Sequence, residues 1–293
     1  MFDSKKNKEE KMRGINKVLF LAAAVSLMFA AAASAAWKWP WQQQKSNVVS
    51  IQGSTTNLPI TQKAAEDYMK VNKDIEISVR GGGSGVGIAG IIDGACDIGN
   101  SSRAIKSKEI MNARAKGVNP HETVIARDGM AIVVHPSNSL KNITVDQIQA
   151  IYTGQIKRWS QLGGADEPIV VVSRDTSSGT YEVFNELVLK GSKLRTDCIM
   201  TVSNREVAET VKNTNGAIGY VGLAFLSDGL NTVTVEGITA SNATINNKTY
   251  KLARELYVYT NGPPAGNAKA FIDYILSEAG QKIVADVGYV PLR

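Results

Sequence analysis

An α/β fold with a mostly parallel sheet, large enough for two lobes, is what the sequence predicts. Three observations carry this. Short apolar runs alternate with helix-like stretches along most of the chain. With 293 residues, 43% of them hydrophobic, the chain can build a sizeable core. Small, hydroxyl-bearing loops recur where a strand-like run meets a helix-like one.

The first segment reads as a leader. "MFDSKKNKEEKMRGINK" is a lysine-rich start, "VLFLAAAVSLMFAAAA" an apolar run, and "ASAA" offers small residues for cleavage after Ala35. The apolar run is short for a membrane span, which needs roughly 20 residues. Residues 1–36 are therefore expected to be a cleaved export signal rather than an anchor. No cysteine stands directly after the apolar run, which argues against a lipoprotein form. "WKWPWQQQKSN" has no period and reads as a linker, taken as residues 37–45.

The elements then follow in order. "VVSIQ" (48–52) is a strand candidate. "ITQKAAEDYMKV" sets Ile60, Ala64, Tyr68 and Val71 at helical spacing. "IEISV" (75–79) and "CDIG" (96–99) are strands, with "VGIAGIIDG" between them. "MAIVVH" (130–135) is another strand. "TVDQIQAIYTG" opens on a capping box, Thr144 to Gln147, and closes on Gly154. "IVVV" (169–172) precedes "RDTSSGTYEVF", in which Tyr181, Phe184 and Val188 share a helical face. A second box, Ser203 to Glu206, precedes the strand "AIGYVG". "LARELYVYT" (252–260) is a late strand, and "NAKAFIDYILSEAGQKIVADVG" a long terminal helical region.

Charge excludes some functions. The chain holds 33 Lys+Arg against 27 Asp+Glu; residues 1–36 carry six and three of these, leaving 27 against 24, or +3. That balance is too mild to argue for nucleic acid or a membrane surface. The two cysteines, Cys96 and Cys198, sit beside apolar neighbours and read as small buried hydrophobes rather than a disulfide.

Three joints carry the chemistry: "GSTT" (53–56), "GGGSG" (81–85) and "RDTSSGT" (174–180). Each stands before a helix, where unpaired backbone N–H groups and the positive dipole end suit an anion. Glycine permits close approach, hydroxyls add donors, and the Arg174 guanidinium can bind an oxyanion bidentately. Any one such loop is an ordinary cap or turn. Three in one α/β chain, one with an arginine, point to a shared anion site.

Two other patterns carry less. Gly85, Gly87 and Gly90 satisfy G-x-G-x-x-G after a strand, but a dinucleotide cofactor is out of place in an exported protein. Serine nucleophiles lack a base: His121 lies in the loop-like "NPHET", and His135 ends a strand before Pro136. Metal-ligand spacing is absent.

Taken together, "GSTTNLPI", "GGGSGVGI", "DIGNSSR", "ITVDQIQAIYTGQIKRWSQLGG", "SRDTSSGTYEVF", "GAIGYVG" and "LARELYVYT" resemble, in order, the phosphate-binding proteins of bacterial ABC transporters. The resemblance covers roughly residues 46 to 293. It implies a two-lobed periplasmic-binding-protein fold of type II, with two mixed sheets flanked by helices and a ligand cleft between lobes. Lobe one would comprise 46–127 and 252–293, lobe two 128–251. It implies a monomeric, non-enzymatic periplasmic receptor for inorganic phosphate, a membrane permease as partner, and no cofactor. The family's first phosphate loop matches Ser54, Thr55 and Thr56, and its second Ser84 with Gly85. Its arginine matches Arg174, and its S-G-T matches Ser178, Gly179 and Thr180. Where the family often has an aspartate after "DIG", this chain has Ser102, followed by Arg103. The alternatives are a receptor for another tetrahedral oxyanion such as sulfate, or an exported phosphohydrolase. A hydroxyl in place of that aspartate predicts weaker rejection of sulfate, with Asp175 as a further candidate acceptor.

Overall fold

The computed structural model describes residues 47–226 and 229–293. The expected leader and linker lie outside these residues.

The chain runs β1 (Val48–Gly53), α1 (Leu58–Val71), β2 (Glu76–Gly81), α2 (Ser84–Ile92), β3 (Ile98–Ser101), α3 (Ser107–Ala115) and β4 (Pro120–Val134). It continues through β5 (Asn142–Ile143), α4 (Val145–Tyr152), β6 (Val170–Arg174), α5 (Gly179–Phe184), β7 (Ile199–Thr201), α6 (Asn204–Asn213), β8 (Ala217–Gly222) and β9 (Asn231–Val235). It ends with α7 (Asn242–Asn246), β10 (Ala253–Asn261), α8 (Gly266–Leu276) and α9 (Glu278–Asp286). A π-helical turn, Asn185–Leu189, prolongs α5.

The two expected sheets are joined through one strand. Along the path β2-β1-β3-β10-β4-β8-β6-β7, β4 serves both sides. Its residues 120–129 pair antiparallel with β10, and Met130–Val134 pair antiparallel with β8. The parallel pairs β1–β2, β1–β3, β6–β8 and β6–β7 lie on the two flanks, as βαβ crossovers require. Each side has its own core. Ile51, Ile60, Ile98, Leu256 and Phe271 belong to one buried cluster; Ile132, Tyr152, Trp159, Phe184 and Tyr220 belong to the other. In the second, the rings of Phe184 and Tyr220 stack with centroids 4.0 Å apart.

Local chemistry explains the elements. Thr144 caps α4, accepting from the Gln147 N–H while Gln147 Oε1 accepts from the Thr144 N–H. Ser203 accepts from the Glu206 N–H, but Glu206 reaches back to the Val202 N–H instead, so the second box is only half formed.

Some expectations are corrected. Val71 is 77% exposed at the end of α1, while Ile60, Ala64 and Tyr68 are buried. The terminal helical region is two helices, broken at Ser277, whose Oγ accepts from the Gly280 N–H. Residues 120–129, with His121 among them, are strand and not loop, because β10 supplies the partner that their polar sequence conceals. Helix α3 buries only Ala113, so it has no apolar stripe to announce it. Cys96 and Cys198 are both free, pack beside different clusters, and are half-buried. Burial pushes both thiols up to about 11. Among the described residues no helix is long and apolar enough to cross a membrane.

Candidate functional site

All three small-residue joints converge. Ser54, Thr55 and Thr56 leave β1; Ser84 opens α2; Ser102 and Arg103 follow β3. From the other side of the molecule come Arg174, the last residue of β6, and Ser178, which caps α5 by accepting from the Tyr181 N–H. Ser54, Thr56, Ser84, Ser102, Arg174, Ser178 and Thr180 are each at most 2% exposed.

The joints touch across the cleft. Thr56 Oγ1 and Thr180 Oγ1 are 3.0 Å apart. The Gly85 N–H donates to the Ser177 carbonyl at 3.0 Å, so this amide is engaged within the protein. Gly179 sits against Ser84 and Ser102: a Cβ there would fall 2.1 Å from Ser84 Oγ and 2.9 Å from Ser102 Oγ. The amides of Gly179 and Thr180 open α5 and have no intrahelical acceptor.

Arg174 is the charged element. Its Nε donates to the Thr201 carbonyl at 3.2 Å and its Nη2 to the Val202 carbonyl at 2.9 Å. Its Nη1 is buried without a hydrogen-bond partner. Burial pulls this guanidinium's pKa down; Asp175, 3.7 Å away, and Tyr220 partly offset that. Buried donors are ordinarily satisfied, so this N–H is open to an acceptor; Nη1 of Arg254 on β10 is likewise buried without a partner. Asp175 is turned onto its own loop, accepting from the Ser177 N–H at 2.8 Å and from its hydroxyl.

Arg103 is arranged differently. Nη1 and Nη2 donate to the two carboxylate oxygens of Glu109, each at 2.8 Å, Nη1 also reaches the Ala104 carbonyl, and Nε pairs with Glu182 of α5. Burial works against its charge, but Glu109 and Glu182 outweigh that and raise its pKa. Lys106 joins Glu182 at 2.9 Å. The guanidinium expected beside the ligand therefore ties β3's loop to α5.

Four further residues gather around Thr56 and were not read from the sequence. Asn204, fully buried at the start of α6, directs Nδ2 to Thr56 Oγ1 at 2.9 Å and to Thr55 Oγ1 at 3.3 Å. Arg254 of β10 donates to Asp128 of β4 at 2.8 Å and to Thr56 Oγ1 at 3.3 Å. Asp128 is fully buried; burial pushes its carboxyl up against the pull of Arg254 and the Leu223 N–H. A buried charge in a strand needs a partner, and that rule applied to "RDGM" and "LARE" was the available signal. Tyr289 supports the same loop, its hydroxyl donating to the Thr56 carbonyl at 2.7 Å.

A two-sided α/β molecule with anion-suited loops meeting across its middle is the architecture of a substrate-binding protein. The model of the PBP superfamily domain matches residues 40–279, and the chain belongs to that superfamily. Within it, the chain is 34% identical to the phosphate-binding protein PstS of Bacillus subtilis over 290 residues, covering 98% of this chain and 95% of that one. The crystal structure of a putative phosphate ABC transporter substrate-binding protein with bound phosphate from Clostridium perfringens is similar at 35% identity with TM-score 0.79, over 84% of this chain and all of that one. An ABC-type phosphate transport receptor from Vibrio cholerae is similar at 30% identity with TM-score 0.69, over 83% and 99%.

Proposed function

We propose that the protein is an exported, non-enzymatic receptor that captures inorganic phosphate and delivers it to the permease of an ABC transporter. The observation that carries this reading is the partnerless Nη1 of buried Arg174 in the joint that also presents Ser178, Gly179 and Thr180. Similarity to phosphate-binding relatives supports it. The proposed ligand set is Ser54, Thr55, Thr56, Ser84, Ser102, Arg174, Ser178, Gly179 and Thr180. Gly85 is a close-packing element and Arg103 an inter-lobe tie. Lobe one is assigned 46–127 with 252–293, and lobe two 128–251. Export follows from the leader, which is cleaved in this reading, and the receptor acts as a monomer in the periplasm.

The physics is replacement of a hydration shell. Hydroxyls, helix-opening amides and one guanidinium surround the anion, and hydrogen bonds involving a charge contribute about 1.5–3 kcal/mol each. No base stands beside Ser84 or Ser178: Ser84 Oγ meets the Ser102 N–H and hydroxyl, and Ser178 Oγ meets an amide. Binding of labelled phosphate with competing sulfate is the direct test. Turnover of a chromogenic phosphate ester, or tighter binding of sulfate than phosphate, would sink the reading.

A further inference from the structure

The hydroxyls of the cleft differ in what they can offer a ligand. Each has one proton to give and two lone pairs to receive. Backbone N–H groups, the guanidinium and the amide NH2 only donate, so each such neighbour takes a lone pair and turns the proton away from itself.

Thr56 Oγ1 receives from Asn204 Nδ2 at 2.9 Å and from Arg254 Nη2 at 3.3 Å. The orientation of the Asn204 amide is set at its other end, where Oδ1 accepts from the Gly222 N–H at 3.4 Å. With both lone pairs taken, the Thr56 proton points to Thr180 Oγ1, 3.0 Å away. Thr180 receives it and keeps its own proton for the cleft. Thr55 Oγ1 receives from Asn204 at 3.3 Å. Ser54 Oγ receives from the amides of Thr56 and Asn57, and Ser178 Oγ from that of Tyr181. The Ser84–Ser102 pair is different. Ser84 Oγ receives from the Ser102 N–H at 2.9 Å, but the Oγ–Oγ bond of 3.3 Å can run either way.

We propose that Asn204, with Arg254, is a positioning residue that sets the proton direction of the Thr56–Thr180 relay, so that Thr180 turns its own proton to the ligand and a protonated ligand oxygen is received at Ser84–Ser102. The inference rests on the phosphate reading and deepens it: the site ranks anions by how many of their oxygens carry protons. The charged and titratable groups around the relay are Arg254 and Asp128 on β10 and β4, Arg174 at the end of β6, and the Tyr289 hydroxyl on the Thr56 carbonyl. All four are kept in the variants below, and only the 3.3 Å contact of Arg254 with Thr56 is lost in one of them, so a difference between profiles shared by both variants isolates the relay.

The test is calorimetric titration of the exported chain with inorganic phosphate at pH values on both sides of the second ionisation of phosphate. Wild type is expected to bind the dianion more tightly than the monoanion. Asn204→Ala frees a lone pair on Thr56, which lets the relay reverse and Thr180 accept. Its affinity should fall about tenfold for the dianion and at most about twofold for the monoanion, so the pH profile flattens. Thr56→Val removes the relay while keeping Asn204 and its bonds to Thr55 and Gly222, and should flatten the profile in the same way, which keeps the test decisive if Asn204→Ala folds poorly. A loss equal at every pH in the variants would overturn the proposal, because packing alone does not read ligand protonation. Wild type that fails to bind phosphate at any pH would overturn the receptor reading itself, and is recognised by the silence of the unaltered protein.

Discussion

Two buried arginines, Arg174 at the end of β6 and Arg103 in the loop after β3, lie on opposite sides of the cleft, and they are in opposite states. Arg103 has its charge matched by Glu109 and Glu182, with a raised pKa. Arg174 leans on two backbone carbonyls and a carboxylate 3.7 Å away; its pKa is lowered and one nitrogen is left over. An arginine with its counter-charges in place is a fastener. One held by neutral carbonyls retains its unmet charge and is suited to a visiting anion.

Removing the left-over donor should have the largest effect. Arg174→Ala is expected to cost on the order of 2–4 kcal/mol of phosphate affinity while the protein stays folded, because one side of a buried ionic contact disappears. Calorimetry alongside a thermal melt checks both parts; binding within twofold of wild type would place the charge elsewhere. Changing the loop on Arg103's side comes next. Ser102→Asp replaces a hydroxyl that can turn either way by an acceptor-only group that a phosphate proton satisfies and sulfate cannot, and should raise the preference for phosphate about tenfold, or ~1.4 kcal/mol. Competition binding decides it, and wild type that ignores a large excess of sulfate would show that an acceptor-only group is already in place.

A smaller effect tests the fastener. Glu182→Gln leaves Arg103 with Glu109 alone, and should weaken phosphate binding by about 1 kcal/mol while enlarging the radius of gyration of the ligand-free protein. Unchanged scattering and affinity would make the contact incidental. The smallest effect is acid stability. Burial opposes the Glu109 carboxylate, but Arg103 and the Lys106 N–H outweigh it and hold its pKa below 4.5. A depressed acid stabilises the fold above its unfolded pKa, and that contribution is lost as pH falls through the folded value. Wild type should therefore lose ~0.5 kcal/mol more than Glu109→Gln on acidification below pH 4.5, a figure kept small because the pair is partly solvated. Parallel melting curves would refute this.

The joints were legible because strand, small residues and helix are adjacent in sequence. Ser54 to Thr56 and Ser178 to Thr180 announce themselves by composition alone. Which way a side chain leaves its loop is not written there. Arg103 reads as a ligand in the sequence, and only the fold discloses that Glu109, six residues on, and Glu182 on α5 pair with it. Asn204 hides inside a capping pattern that already accounts for its neighbours Ser203 and Glu206. Asp128 and Arg254 are directly opposite in the β4–β10 register but 126 positions apart in sequence, so only the folded sheet brings them together. The alternation of small and apolar runs disclosed the sheet, whereas the polar half of β4 took its strand character from β10.

Gly83 and Gly179 stand where the two sides of the cleft come closest. A Cβ on Gly83 would lie 2.6 Å from the Ser177 carbonyl oxygen, and one on Gly179 would lie 2.1 Å from Ser84 Oγ. The missing methyl groups thus act as clearance at a door jamb, and the shut position is defined by atoms that are not there. A single carbon at Gly179 would be a doorstop: a molecule whose halves fold normally, whose donors are all present, and which is held ajar.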